Sequence, residues 1–205
     1  MTDVVIDPSK YKFDRYSIAL TPEDIAYMES GVQFHSALLK HNGVFLHASA
    51  IAYQGKAYLF SANSGTGKST HTGLWQKRLG NQVYVFNDDK PSLRFIDGVW
   101  YAYGSPWCGK DHINVNVKVP LAGICFLKQG TENAIRRLNG QEAVNGIFSQ
   151  TIHRFRKEKN IDLLLTNIDS IVRTIPVFEL VNRPDLEAAT ISFETMRCAA
   201  EEMGL

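Results

Sequence analysis

The segment from Ala62 to Ser69, which reads Ala-Asn-Ser-Gly-Thr-Gly-Lys-Ser, constrains the fold of this chain more than any other. It follows an apolar run with β character at 56–62 and precedes a helical pattern at 68–79 that ends at Gly80-Asn81. Glycine adopts backbone conformations that other residues rarely reach, so Gly65 and Gly67 let the chain turn sharply between the two elements. The segment therefore predicts a strand–loop–helix unit, which is a building block of α/β folds.

The spacing in this segment is also typical of loops that bind phosphate. The general pattern is G-x-x-x-x-G-K-[ST], and only its first glycine departs here, since Ala62 takes that position. In such loops backbone N–H groups surround the phosphate oxygens, the lysine adds a positive charge, the next hydroxyl can bind Mg²⁺, and the helix N-terminus favours an anion. The alternative is a tight turn with an incidental Gly-Lys pair. The pattern predicts that a polyphosphate binds Asn63, Ser64, Gly65, Thr66, Gly67, Lys68, Ser69 and Thr70.

Two adjacent carboxylates follow the next predicted strand. Residues 83–86 form a short apolar strand pattern, and Asp88 and Asp89 come shortly after it. A nucleotide site needs a carboxylate to hold or orient Mg²⁺, normally at the end of a neighbouring strand. The second carboxylate could accept a proton from an acceptor hydroxyl, a role that contributes about 10²–10⁴-fold in rate. The alternative is an ordinary turn, because Asn, Asp and Pro are common turn residues.

A histidine precedes the loop on a predicted hairpin. The run at 44–53 has β character and pairs with 56–62 across a Gln-Gly turn. Alternation places His47 opposite the face that carries Leu46, Ala48 and Ala50. Because its strand pairs with the one that leads into the loop, His47 could ligate a metal or stabilise charge near a γ-phosphate. The alternative is a core histidine with ordinary hydrogen bonds.

The rest of the chain predicts alternating helices and strands. Thr21 and Pro22 begin a helix, and an Asp-Gly turn joins a second hairpin at 93–96 and 99–103. The strand at 121–127 has 134–138 as its predicted partner, and the later elements are helices near 141–153, 160–173 and 185–202 with a strand at 177–181. We expect one α/β domain over 1–205, a mixed twisted sheet with helices packed around it, with its core at 44–182 and a C-terminal helical segment at 183–205.

Composition excludes several classes of function. Lys and Arg total 22 against 21 for Asp and Glu, a net charge of +1, so no global basic field attracts nucleic acid or an acidic membrane surface. The sequence has no apolar run of about 18 residues to span a bilayer, and its first ten residues do not resemble a secretory signal. The three cysteines are scattered, which favours neither a disulfide framework nor a zinc knuckle. We expect a soluble cytoplasmic protein, and the oligomeric state stays open, a homo-oligomer included.

Together these residues resemble the P-loop superfamily that HPr kinase/phosphorylase shares with ATP-dependent phosphoenolpyruvate carboxykinase. The resemblance rests on His-Ala-Ser-Ala at 47–50, Ser-Gly-Thr-Gly-Lys-Ser-Thr at 64–70 and the Asp88-Asp89 pair, with a fainter similarity at 104–110. An antiparallel hairpin before the loop also suits this superfamily better than an ordinary βαβ nucleotide-binding fold. The resemblance therefore implies an HPr kinase-like or carboxykinase-like catalytic core.

The resemblance also implies cofactors and roles. ATP or GTP and Mg²⁺ would be the cofactors. Lys68 and the loop amides would hold the phosphates, and Lys110 would be an additional phosphate clamp. Asp88 would be the general base, and His47 would lie at the metal or the γ-phosphate. The metal ligands would be Ser69, Asp89 and His47.

Several features of the superfamily are missing from this sequence, and their absence narrows the predicted reaction and acceptor. This chain has no room for the large N-terminal substrate domain of the carboxykinases and no counterpart of their oxaloacetate-binding arginine. The glycine- and arginine-rich signature of HPr kinases is also absent, so HPr is a doubtful acceptor. We predict an ATP-dependent, serine kinase-like phosphotransferase that acts on a hydroxyl of a protein, a peptide or a small molecule. The alternative is a non-catalytic ATP- or GTP-binding switch or sensor. The acceptor, the choice among ATP, GTP and pyrophosphate as donor, and reverse phosphorolysis stay open.

Overall fold

The computed structural model describes residues 21–151 and 158–205, so the expectations for residues 1–20 and for the end of the helix near 141–153 fall outside it. Within these ranges the helices are α1 (Pro22–Leu39), α2 (Lys68–Leu79), α3 (Gly140–Gln150), α4 (Glu158–Thr174) and α5 (Leu186–Glu202). The strands are β1 (Gly43–Phe45), β2 (Ala48–Tyr53), β3 (Lys56–Ser61), β4 (Val83–Asn87), β5 (Ser92–Ile96), β6 (Val99–Tyr103), β7 (Lys118–Gln129), β8 (Ala134–Arg137) and β9 (Val177–Asn182). These elements confirm the predicted α/β class.

The strands form a curled mixed sheet in the order β1-β5-β6-β7-β3-β2-β4. The first residues of β7 pair antiparallel with β6, and its later residues pair in parallel with β3 and β9. β8 pairs antiparallel with β9 rather than with β7. The predicted pairing of 134–138 with 121–127 is therefore wrong, because β9 arrives from later in the chain and takes the place beside β7 that a hairpin would have used.

Helices cover both faces of this sheet. In β3, Ala57 and Leu59 belong to one apolar cluster, whereas Tyr58 and Phe60 belong to another, as alternation along a strand requires. The first cluster includes Ile147 of α3 and Leu164, Ile168 and Ile171 of α4. The second includes Trp75 of α2 and Phe193 and Met196 of α5. Burial on both faces explains why the central strands are nearly continuous apolar runs in the sequence.

Local signals set several element boundaries as predicted. Thr21 and Asp24 form a reciprocal capping box at the start of α1, which has proline in its first turn. The Asp97-Gly98 turn between β5 and β6 has φ angles of 49° and 85°, the left-handed conformation that a tight hairpin turn needs. None of the helices in the described ranges combines the length and the apolarity that crossing a membrane would take.

The predicted strand at 44–53 is two strands. β1 pairs with β5, β2 pairs with β3 and β4, and the chain between them, Leu46-His47, belongs to neither strand. Alternation continues across this interruption, since Leu46, Ala48 and Ala50 all lie in the cluster that faces α3 and α4. The hairpin of β2 with β3 is confirmed. The interruption leaves His47 outside the regular strand pairing, next to the end of β3.

Candidate functional site

The glycine loop, residues 62–69, leads from the end of β3 into α2. Gly65 and Gly67 have φ angles of 80° and 106°, in the left-handed region that favours glycine. A Cβ atom added at Gly65 would meet nothing within 4 Å, so backbone conformation, not crowding, requires glycine there. Gly67 is the N-cap of α2, and no side chain from the described part of the protein caps it. The first amides of α2 are therefore free of a side-chain cap, as in helix N-termini that bind anions.

Three ionisable side chains meet beside this loop. His47 Nε2 lies 3.0 Å from Lys68 Nζ and 3.1 Å from Asp89 Oδ1. Lys68 Nζ also donates a hydrogen bond to the carbonyl oxygen of Ala62, at 3.1 Å. The side chains of His47 and Asp89 are 27% and 18% exposed, so both still reach solvent. The structure thus brings together a predicted phosphate ligand and two of the predicted metal ligands.

Hydrogen bonds to backbone carbonyl groups hold the segments that carry His47 and Asp89 in place. The N–H of Ala48 donates to the carbonyl oxygen of Asp89 at 2.9 Å, which ties the start of β2 to the turn after β4. The hydroxyl of Ser61, the last residue of β3, donates to the carbonyl oxygen of His47 at 2.7 Å. The ends of three neighbouring strands are therefore joined directly, and the side chains they carry converge beside the glycine loop.

Opposing electrostatic effects act on Asp89 and Lys68. Burial alone would raise the pKa of Asp89, but its contacts with His47 and with the Lys90 ammonium outweigh burial and lower the pKa to about 2. Lys90 Nζ contacts Asp89 Oδ2 directly. Burial lowers the pKa of Lys68, and the charge of Asp89 opposes that shift. Asp89 is therefore an anion at neutral pH, and it stabilises the ammonium form of Lys68.

Asp88 occupies a different place from Asp89. Its side chain is buried, and its two oxygens accept the backbone N–H groups of Gly109 at 2.7 Å and Asp111 at 3.0 Å. The approach is close, since a Cβ atom on Gly109 would lie 2.9 Å from Asp88 Oδ2. Lys110 lies between these two amides and is exposed, and within the described ranges its side chain makes no hydrogen bond or ion pair with the other site residues. As placed, Asp88 holds the loop that carries Lys110.

The other predicted ligands line the loop itself. Asn63 Oδ1 accepts a hydrogen bond from Gln150 Nε2 at 3.0 Å, and its carbonyl oxygen accepts the N–H of Thr66 at 3.2 Å. Ser64, Ser69 and Thr70 are exposed. The described residues contain no group of three or more His, Cys, Asp or Glu side chains placed to hold a metal ion by themselves.

Sequence reasoning missed two residues that organise the site. Asn87 is fully buried, and its Oδ1 accepts the N–H groups of Asp89 at 3.1 Å and Lys90 at 2.7 Å. Its Nδ2 donates to the carbonyl oxygens of Ser105 at 3.1 Å and Trp107 at 3.2 Å. An Asn before Asp-Asp is a local turn signal, but nothing local indicates the second set of bonds. The other is Gln150, whose side chain contacts both His47 and Asn63 although it lies 103 residues from His47.

Two cavities adjoin the glycine loop, and Thr66 and Gln129 line both of them. The larger, ≈ 720 Å³, borders Asn63 and Thr66 and extends over β7, β8 and α3. Its four charged side chains balance one another: Lys128 pairs with Glu179 at 2.6 Å, and Arg136 pairs with Glu179 and Glu142 at 3.0 Å each. The smaller cavity, ≈ 270 Å³, borders Gly67, Thr70 and His71 at the start of α2.

Fold and site together define an α/β protein in which a mixed sheet presents a glycine loop beside a lysine, a histidine and an aspartate. The chain belongs to the SynChlorMet cassette protein ScmC family, whose model matches residues 23–183. Among solved structures, it is similar to the Hpr(Ser) kinase/phosphatase from Coxiella burnetii, with 11% sequence identity, a TM-score of 0.45, and coverage of 78% of this chain and 92% of that chain. No curated protein matches it.

Proposed function

We propose that this chain is a nucleotide-dependent phosphotransferase that binds ATP or GTP with Mg²⁺ and moves the γ-phosphoryl group to a hydroxyl of a protein, peptide or small molecule. The observation that carries the proposal is the meeting of Lys68, His47 and Asp89 beside a loop with phosphate-binding spacing. The resemblance of residues 44–110 to HPr kinases and carboxykinases supports the same reaction class.

The donor side of the proposed reaction uses the glycine loop. In loops of this pattern, backbone amides surround the α- and β-phosphates and the lysine reaches the β- and γ-phosphates. The Lys68 ammonium has three N–H donors, of which Ala62 and His47 engage two, so one is left for a phosphate oxygen. Because Lys68 lies beside His47, its contact with the γ-phosphate would bring the γ-phosphoryl group toward His47 and Asp89. The nucleoside would then lie toward Thr70 and the smaller cavity.

The residues fit a divalent cation that shares its ligands with a nucleotide. Asp89 is ionised, and Mg²⁺ prefers oxygen ligands, usually one or two carboxylates completed by phosphate oxygens and water. Asp89, Ser69 and His47 would hold the ion. When bound, Mg²⁺ neutralises the charge that develops on the transferred group.

The acceptor side of the proposal uses the larger cavity. It adjoins Asn63, at the end of the glycine loop where the γ-phosphoryl group is expected. Its two cations and two anions are paired, so it suits a neutral or zwitterionic acceptor better than a polyanion. A base role for Asp88 additionally requires that an acceptor hydroxyl reach one of the lone pairs that the Gly109 and Asp111 amides leave open on its oxygens.

The first test is nucleotide binding. Calorimetry should detect Mg·ATP or Mg·ADP binding to the unmodified protein and a loss of at least tenfold in affinity for Lys68→Ala. Lys77→Ala is the matched control, since Lys77 is an exposed lysine on the same helix. The second test incubates both variants and the unmodified protein with γ-labelled ATP and an extract of the native cell. A labelled product that requires Lys68 supports transfer. Absence of binding to any nucleotide would overturn the proposal.

A nucleotide-binding switch without transfer is the second candidate. The burial of Asp88, whose two oxygens face the loop amides, favours it, because an acceptor hydroxyl has little access to that carboxylate. This candidate predicts Mg·nucleotide binding without a labelled product, together with a nucleotide-dependent change in affinity for a partner protein.

A further inference from the structure

We propose that Gln150, the last residue of α3, is a positioning residue that sets the tautomer and orientation of His47. The inference deepens the proposed function, because it concerns how the ring is presented to phosphate and metal, but its first test needs neither. Gln150 contacts His47 through its main chain and its side chain and contacts Asn63 through its side chain. It thus joins the histidine to the first part of the glycine loop.

The main-chain contact joins the gap between β1 and β2 to the C-terminal end of α3. His47 lies between β1 and β2, so its N–H has no partner in the sheet, and the last carbonyl groups of a helix have no partner within the helix. The N–H of His47 donates to the carbonyl oxygen of Gln150 at 2.9 Å, which satisfies both groups. Because this bond is between main-chain atoms, a change of the Gln150 side chain leaves it available. Substitutions of that side chain should therefore fold.

The side-chain amide of Gln150 then constrains the ring. Its Nε2 donates to Asn63 Oδ1 at 3.0 Å, which directs its Oε1 to His47 Nδ1 at 3.1 Å. An amide oxygen only accepts hydrogen bonds, so Nδ1 must carry the hydrogen. The neutral ring consequently presents a lone pair at Nε2.

Two neighbours of Nε2 make opposite demands on it. The Lys68 ammonium, 3.0 Å away, has only donors and so requires a lone pair. Asp89 Oδ1, 3.1 Å away, accepts hydrogen bonds and so favours a hydrogen on the same nitrogen. The amide of Gln150 decides between them in favour of the lone pair. In that form the single lone pair of Nε2 accepts from Lys68, and a metal ion would use it, beside Asp89 Oδ1, once the ammonium turns to a phosphate oxygen.

The first test is nuclear magnetic resonance of the nucleotide-free protein at pH 8. Long-range ¹H–¹⁵N correlations distinguish the two tautomers, and comparison with His47→Asn assigns the ring. The unmodified protein and Gln150→Glu, whose carboxylate still accepts a hydrogen bond, should show His47 with its hydrogen on Nδ1. Gln150→Leu removes the acceptor at Nδ1 and leaves Asp89 Oδ1 as the acceptor beside the ring, so the hydrogen should move toward Nε2. Gln141→Leu, which removes an exposed Gln141–Asn145 pair from the same helix, should match the unmodified protein.

A second measurement uses Mn²⁺ as a paramagnetic probe in the presence of ADP. Loss of an outer partner of a metal-bound histidine typically weakens the metal about 10–100-fold, so Gln150→Leu should lose at least tenfold in Mn²⁺ affinity and Gln150→Glu much less. A hydrogen on Nε2 in the unmodified protein, or the same tautomer in Gln150→Leu, overturns the inference. Failure to bind ADP would instead count against the proposed function and would leave the tautomer result intact.

Discussion

Replacing Asp88 with asparagine should loosen the loop at 109–111 as well as alter any chemistry at this position. The carboxylate accepts two backbone N–H groups, at 2.7 Å from Gly109 and 3.0 Å from Asp111. Asparagine keeps one oxygen but turns an NH₂ group toward the second amide, so one bond is lost and two donors face each other. A hydrogen bond to a charged group contributes about 1.5–3 kcal/mol, so the free energy of unfolding should fall by about 2 kcal/mol.

Urea denaturation measures this loss directly. With a slope of about 2 kcal/mol per molar urea, the midpoint of Asp88→Asn should fall by about 1 M. Asp88→Ala, which loses both acceptors, should fall further. Hydrogen exchange supplies the local measurement, since in both variants the amides of Gly109 and Asp111 should lose more protection than amides in the centre of β3, which should lose only what the global destabilisation takes.

These results separate a holding role from a purely chemical one. If Asp88 served only as a general base, Asp88→Asn would abolish transfer and leave stability and amide exchange unchanged. A midpoint within about 0.2 M of the unmodified protein, with both amides still protected, would refute the reasoning from geometry. Loss of transfer together with a looser loop would show that position and chemistry depend on the same carboxylate.

Urea denaturation can check three further predictions. Gly109→Ala should cost about 1–3 kcal/mol, because its Cβ would lie 2.9 Å from Asp88 Oδ2, whereas Gly73→Ala in α2, where a Cβ meets nothing within 4 Å, should be neutral or stabilising. Burial lowers the pKa of His71 to about 4, so the neutral ring adds about 3 kcal/mol to the free energy of unfolding above about pH 6.5, and this is lost as the pH falls toward 4. His71→Gln should therefore flatten the dependence of stability on pH in this range, and an unchanged slope would contradict the prediction. The pKa of Asp89 is lowered to about 2 because its contacts with His47 and Lys90 outweigh its burial, which gives a stabilisation of about 2 kcal/mol that is present above about pH 4 and is lost toward pH 2. The stability deficit of Asp89→Asn relative to the unmodified protein should therefore shrink between pH 5 and pH 2, and a constant deficit would show that the charge is not involved.

Elements with local signals could be predicted from the sequence. The glycine loop before it and the closing Gly80 predict the helix at 68–79, and α2 has those bounds. The hairpin of β5 and β6 followed from its Asp-Gly turn. Such signals act between residues a few positions apart, where capping, turn conformation and alternation decide the structure.

Contacts between distant segments could not be predicted in the same way. Adjacency in the sequence predicts that β8 pairs with β7, whereas in the structure β9 lies between them. The split of the strand at 44–53 was missed for a related reason, since its residues have uniform β character and only their partners differ. The contact of Gln150 with His47 spans 103 residues, and no pattern in either segment indicates it.

The geometry around His47 comes from places where regular structure stops. At the interruption between β1 and β2, the N–H groups of Leu46, His47 and Ala48 donate to carbonyl oxygens of Pro91, Gln150 and Asp89, at 3.4, 2.9 and 2.9 Å. Buried main-chain groups need hydrogen-bond partners, so the interruption, the turn after β4 and the end of α3 bind one another. The side chains on these segments are brought together as a consequence. Since the bonds are between main-chain atoms, replacing a side chain here should remove its chemistry and leave the neighbouring backbone in place. A loss of function in Gln150→Leu or Asp89→Asn can then be assigned to the side chain itself, in contrast to Asp88, whose own carboxylate is part of the backbone's hydrogen bonding.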